Sequence, residues 1–159
     1  MKTHLIRILP AALALTADQI SKYVVRRELI DAGRQVLIPD ILAFRYAENT
    51  GAAFSFLAAH PMLLTLATAA LIIMVCLWLV LDKKMNILCA AGLSLIVGGG
   101  IGNLIDRIFF GYVTDFIEVL FVRFAIFNIA DCAICVGAFA CMISLLGKEN
   151  ACDRNPIHR

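Results

Sequence analysis

MLLTLATAALIIMVCLWLVL, residues 62–81, runs from Met62 to Leu81 without one charged side chain. A helix needs about 20 residues to cross the roughly 30 Å hydrocarbon core of a bilayer. In lipid the backbone can be satisfied only within helices or closed barrels, so this stretch reads as a membrane helix. The whole chain agrees. Of its 159 residues 62% are hydrophobic and the mean hydropathy is +0.89, against about 45–50% apolar residues in soluble domains. The net charge is only +2, and no basic run carries interleaved aromatics, so nucleic acid is not an expected partner.

Three further apolar runs accompany it. Leu5 to Val25 is interrupted by Arg7, Pro10 and Asp18, Ile87 to Ile108 is rich in glycine, and Ala125 to Leu146 closes the set. The expected fold class is an all-α membrane protein of four transmembrane helices, one unit over residues 1–159. The first run continues into Asp18 and Lys22 without a small-residue cleavage site, so it reads as a retained helix. Residues 26–61 form the one sizeable extramembrane connection. Within it Asp31-Ala32-Gly33-Arg34 reads as a turn. Leu42, Phe44 and Tyr46 alternate with Ala43, Arg45 and Ala47, a period of two that predicts a strand with one apolar face. Val36-Leu37-Ile38 is its expected partner, giving a small β-ribbon on the membrane.

Four spans place both termini on one side with the linker Asp82-Lys83-Lys84-Met85-Asn86. The basic residues divide evenly between the two sides. Lys83 and Lys84 in a very short loop, with basic tails, make that side the expected cytoplasmic one.

The polar residues of the spans gather toward the opposite end. Asp18 and Lys22 are four apart and can pair on one helix face. Asn103 shares a face with Asp106 and Arg107, by spacings of three and four. Asp115 follows in what reads as a loop. Asn128 and Asp131 are three apart, so the amide is expected to bond the carboxylate, about 9 Å into a helix starting near Ala125 at roughly 1.5 Å per residue. A carboxylate at membrane depth costs roughly 2.5–3.5 kcal/mol and normally has a partner or a task. Two close carboxylates share a proton, so that Asp115 and Asp131 could activate water and polarise a carbonyl. Asn103 and Asn128 could hold that pair, and Arg107 could balance Asp106 or tune it. Taken singly, Asp115 reads better as a loop charge, and Asp131 is as readily a cap as a catalyst. The constellation as a whole favours function.

Other chemistries fit less well. His4, His60 and His158 are far apart and no His-Glu-x-x-His pattern occurs, so no metal is expected. Gly98-x-x-x-Gly102 suits close helix packing rather than a phosphate loop. Cys132-x-x-Cys135 lies in an apolar run, where plain packing is the stronger reading than redox chemistry. A small transporter or proton channel is the main alternative, and it predicts ionisable groups spread through the membrane depth.

Five blocks then carry a resemblance: Asp18-Gln19-Ile20-Ser21-Lys22, Asn49-Thr50-Gly51-Ala52-Ala53-Phe54, Gly102-Asn103-Leu104-Ile105-Asp106-Arg107, Val113-Thr114-Asp115-Phe116 and Phe127-Asn128-Ile129-Ala130-Asp131. In this order on four spans the chain resembles the lipoprotein signal peptidases, the type II signal peptidases of bacteria. The resemblance implies an aspartyl endopeptidase of the inner membrane without metal or organic cofactor. Its implied substrates are diacylglyceryl-modified prolipoproteins, cut just before the lipidated cysteine. It places the catalytic pair at Asp115 and Asp131, and supporting residues at Asp18, Lys22, Asn49, Gly51, Asn103, Asp106, Arg107 and Asn128. The family's extramembrane β-cradle corresponds to the ribbon near residues 36–47. The cysteines are not part of the family's pattern.

Overall fold

A computed structural model gives the backbone of residues 2–51 and 61–153, and side chains across residues 5–51 and 62–146. Ala52-Ala53-Phe54, His60, Cys152 and the basic residues of both tails lie outside these described side chains. The elements run α1 (Lys2–Glu28), β1 (Gln35–Ile38), β2 (Leu42–Asn49), α2 (Pro61–Leu81), α3 (Ile87–Phe110), β3 (Val113–Val119) and α4 (Ile129–Asp153).

Helix α3 is the axis of the bundle. Its span is 61% buried, against 6% for α2, so α3 is enclosed by its neighbours while α2 shows nearly all its apolar surface outward. Ile72 and Leu79 of α2 meet Cys89, Leu93 and Val97 of α3 in the apolar core. Three helices, over Met62–Leu81, Ile87–Phe110 and Ile129–Leu146, are long and apolar enough to cross a membrane. Helix α1 has the length but is not among them, because Arg7, Asp18, Lys22 and Arg26 interrupt its apolar sequence.

Pro10 lies inside α1, where it removes a backbone donor and disturbs the preceding turn. The buried hydroxyl of Ser94, from α3, is inserted beside it. It accepts the Ala11 N–H at 3.0 Å and donates to the Arg7 carbonyl at 2.8 Å, satisfying two groups one turn apart. One turn further along α3 comes Gly98, whose missing side chain lets the Ala11 backbone settle against it. Gly98→Ala would put a methyl 2.7 Å from the Ala11 Cα, so the two backbones must separate. We expect that variant to lose about 1–3 kcal/mol of stability, read as a lower thermal midpoint in detergent.

In the same N-terminal part of α1, the Arg7 side chain donates to the carbonyls of Leu79 (2.6 Å) and Asp82 (2.8 Å). The start of α1 and the linker after α2 therefore share one end of the bundle. Asn86 then caps α3 by accepting the Leu88 N–H, and Gly111 closes it with φ +82°.

The extramembrane ribbon is larger than its sequence pattern predicts. β1 and β2 pair as expected, but β3 adds a third antiparallel strand, in the order β1-β2-β3. Asp115 is thus not in a loop: it lies on β3 opposite Ala47. A bulge between Phe44 and Ala47 breaks the alternation of β2, and Ala43, rather than the expected Leu42–Phe44–Tyr46 row, is its fully buried residue. The architecture is therefore mostly helical, with the expected small extramembrane ribbon enlarged to a three-stranded sheet.

Helix α4 also starts later than its apolar run. The backbone of Phe127 pairs with β3, giving its N–H to Ile117 (3.1 Å) and accepting from Ile117 (2.8 Å). Residues 125–127 are thereby held in the sheet region, and the helix opens at Ile129.

Candidate active site

The entry to α4 is a reciprocal cap. Asn128 Oδ1 accepts the Asp131 N–H at 2.9 Å, while Asp131 Oδ2 accepts the Asn128 N–H at 3.2 Å. Asp131 consequently stands in the first turn of α4, not deep along a helix. Because the Asn128 oxygen is used in the cap, its amide nitrogen points away from Asp131. It donates to Asp115 Oδ1 at 2.6 Å, and also lies near Asn103 Oδ1 (3.1 Å) and the Thr114 carbonyl (3.3 Å). The expected amide–carboxylate contact within α4 is replaced by one between α4 and β3.

Each aspartate receives a second amide. Asn103 Nδ2 donates to Asp131 Oδ1 at 2.9 Å. Asn49 Nδ2 donates to Asp115 Oδ2 at 2.8 Å. Asn49 is itself aimed by the Gly51 N–H, which it accepts at 2.8 Å in an Asx-type turn. Gly51 has φ +100°, a conformation that only glycine adopts without strain, and it is buried against Leu64 of α2.

Burial, joined by the charge of Asp131, pushes the Asp115 carboxyl up to about 6 against the opposing pull of the Asn49 and Asn128 amides and of Lys22. Asp115 therefore changes charge close to neutral pH. The folded carboxyl holds its proton more tightly than an unfolded one. Its ionisation thus withdraws stability as pH climbs from about 4 through about 6. Asn49→Ala removes a donor that favours the ionised form. We expect the pH profile of activity to show its Asp115-linked limb displaced to higher pH in that variant, measured as kcat/KM against pH.

Behind the aspartates lies a buried ionic cluster. Lys22 Nζ reaches three oxygens: Asn103 Oδ1 at 2.8 Å, Asp18 Oδ2 at 2.9 Å and Asp106 Oδ2 at 3.2 Å. These account for all three ammonium protons. Asp18 Oδ1 also accepts the Ala130 N–H at 2.9 Å, so α1 supplies a second carboxylate cap to the start of α4. Gly102 permits this approach, since a Cβ there would strike the Asp18 carboxylate. Asp106 accepts the Thr114 N–H at 2.9 Å and faces Arg26 at 3.4 Å. Its partners are therefore Lys22 and Arg26, and Arg107 instead lies in the fields of Asp131, Asp115 and Asp106 together.

Of the eight expected supporting residues, Asp18, Lys22, Asn49, Gly51, Asn103, Asp106 and Asn128 are joined to the aspartates by hydrogen bonds and ion pairs, whereas Arg107 is coupled to them through its charge. Sequence reasoning missed Arg26 and Thr114. Arg26 crosses to Asp106, donates to Thr114 Oγ1 at 2.9 Å and covers the Phe110 ring at 4.5 Å. The spacing Asp18, Lys22, Arg26 repeats every four residues on one helix face and would have revealed it. Cys132 and Cys135 carry no hydrogen bond to either aspartate side chain among the described residues. No group of histidine, cysteine and acidic residues fit to hold a metal occurs among the described residues. Among the described residues the fully buried ionic groups, Asp18, Lys22, Asp106 and Asp115, are concentrated at one end, unlike the relay a transporter would need.

The family model for signal peptidase (SPase) II matches residues 10–147. A lipoprotein signal peptidase of Coxiella burnetii (strain RSA 331 / Henzerling II) is 41% identical over 142 residues, covering 86% of each chain. One from Lactobacillus johnsonii is 37% identical over 139 residues, covering 87% of this chain and 90% of the relative. A solved bacterial membrane enzyme structure superposes with a TM-score of 0.84 at 28% identity, over 96% of this chain and 93% of the other. A second superposes with a TM-score of 0.80 at 30% identity, over 88% and 92%.

Proposed function

The chain belongs to the signal peptidase II family, and from that premise we propose that Asp115 and Asp131 are its catalytic pair. Membership makes it a peptide-bond hydrolase of the aspartyl class, a multi-pass bacterial membrane protein that cleaves signal peptides from prolipoproteins. The finer reading is that the substrate carries diacylglyceryl on its lipobox cysteine and is cut just before it. Helix α1 serves as a fourth span, its charges neutralised by one another inside the bundle. Both termini are cytoplasmic and the dyad lies near the outer face of the inner membrane. Residues 1–159 act as one peptidase unit, with membrane lipid around it and no nucleic acid partner.

The observation that carries the dyad is the double use of Asn128. One residue gives its side-chain amide to Asp115 and its backbone N–H to Asp131, so both carboxylates are fixed against a single point. Asp115, raised by burial, holds the shared proton. Asp131 then takes a proton from water as the water oxygen attacks the scissile carbonyl, and Asp115 delivers its proton to the carbonyl oxygen. Collapse of the resulting diol breaks the C–N bond. The proton on Asp131 goes to the departing amine, and one hydroxyl proton returns to Asp115. With one shared proton the pair carries a single negative charge, which the Arg107 guanidinium balances.

The same charge logic explains the supporting cluster. Lys22 and Arg26 offset Asp18 and Asp106, leaving that cluster neutral. Asn103 joins the two groups, accepting from Lys22 and donating to Asp131. The reading is tested by gel-shift cleavage of a diacylglyceryl-modified prolipoprotein in detergent, wild type beside Asp131→Asn. Cleavage by wild type alone supports it, and equal cleavage by both overturns it.

A further inference from the structure

The lip of the sheet carries charges that the dyad does not use. Glu118 sits on β3, three residues beyond Asp115. Its Oε1 faces Arg34 at 2.7 Å and Arg45 at 3.6 Å. Its Oε2 is buried without a hydrogen-bond partner among the described residues. Arg123, from the segment after β3, lines the same cleft of ≈ 530 Å³ as Arg34 and Glu118. Arg123 is exposed and forms no ion pair among the described residues. Two arginines thus pair with one carboxylate and a third lines the same cleft, three positive charges from separate segments against one negative charge. Half-exposed ion pairs of this kind contribute little to folding, so sheet stability does not account for them.

The surroundings of the cleft are apolar. Phe121, Val122 and Phe124 are exposed beside it, at 74%, 50% and 64%. All four residues of the edge strand β1, including Val36, Leu37 and Ile38, are exposed as well. An apolar edge strand in water invites pairing with other chains. Aromatic and aliphatic side chains next to a basic cluster instead match the headgroup boundary of a bilayer. The guanidinium fork matches phosphate oxygens in pairs.

We infer that Arg34, Arg45 and Arg123 bind the phosphate of an anionic phospholipid, while Phe121, Val122, Phe124 and the β1 edge enter the bilayer beside it. The surplus of charge selects an anionic headgroup over a zwitterionic one, whose own amine cancels the attraction. The inference rests on the membrane reading above and not on the dyad. Its consequence for catalysis is positional: the lipid fixes β3, and with it Asp115, at a set height on the bilayer.

The test uses the full chain purified in detergent and native mass spectrometry with phosphatidylglycerol or phosphatidylcholine. Wild type is expected to retain phosphatidylglycerol in preference. Arg123→Gln, which leaves both Glu118 contacts in place, should weaken that retention about fivefold. The combined Arg34→Gln, Arg45→Gln, Arg123→Gln variant should bind both lipids alike, and the matching lysine replacements should keep the preference. Asp131→Asn should also keep it while losing cleavage, which separates failure here from failure of the dyad. Unchanged preference in Arg123→Gln overturns the inference, as does a preference lost only on changing Lys83 and Lys84 at the opposite end.

Discussion

Asp131→Asn should lower cleavage of a diacylglyceryl-modified prolipoprotein by at least about 10³-fold, and Asp115→Asn should do the same. General acid–base catalysis contributes roughly 10²–10⁴-fold per positioned group. Here each carboxylate acts twice in a turnover, once in forming the diol and once in its collapse. The replacement preserves shape but cannot cycle a proton. The fold should survive it. Asp131 accepts one N–H on each oxygen, so the new amide keeps one acceptor and turns its nitrogen toward the other donor. That conflict weakens a helix cap, at a cost of about 1 kcal/mol. At Asp115 the conflict cannot be relieved by turning the Asn49 amide, because Asn49 Oδ1 is committed to the Gly51 N–H. The check is turnover in the gel-shift assay together with elution and thermal midpoint in detergent. Full activity in either variant would remove the dyad mechanism. A misfolded Asp131→Asn would leave Asp115→Asn to decide.

How far the site could be read from the sequence depended on whether its contacts are local. The pair Asp18–Lys22 follows from helical spacing, and the structure has it at 2.9 Å. Met62–Leu81 declares its helix by composition alone. The strand β3 did not declare itself. Its partner residues on β2 lie far away in the chain, as Ala47 opposite Asp115 shows, and its apolar and polar residues do not alternate cleanly. The start of α4 was misplaced for a related reason. Ala125, Ile126 and Phe127 extend an apolar run, and it is the pairing of Phe127 with Ile117 on β3 that delays the helix. Asn128 shows the limit of spacing arguments. A separation of three brings Asn128 and Asp131 together, but the backbone claims the side-chain oxygen, and the amide is left for Asp115. Thr114 lay unmarked because its contribution comes largely through backbone groups, its N–H to Asp106 and its carbonyl to Asn128.

Lys22→Met is expected to be the most destabilising single replacement in the bundle. Methionine keeps much of the apolar stem and removes the charge, so the experiment isolates electrostatics from packing. Lys22, Asp18 and Asp106 are all 0% exposed, and the ammonium is the nearest cation to both carboxylates. Breaking a buried ion pair by deleting one partner costs about 3–5 kcal/mol, because the remaining charge stays buried without compensation. In a chain of this size that is a fall in thermal midpoint on the order of 10 °C. Asp106 would retain Arg26 at 3.4 Å, whereas Asp18 would keep no cation. Neutralising the carboxylates as well, with Asp18→Asn and Asp106→Asn, should recover most of the loss. Each amide can still accept the N–H of Ala130 or Thr114 that the carboxylate accepted. Recovery of cleavage should lag behind recovery of stability, since Asn103 would still lack the Lys22 donor that orients it toward Asp131. A Lys22→Met protein as stable as wild type would mean that water reaches the cluster and screens it. No rescue by the two asparagines would place the contribution of Lys22 in its packing rather than its charge.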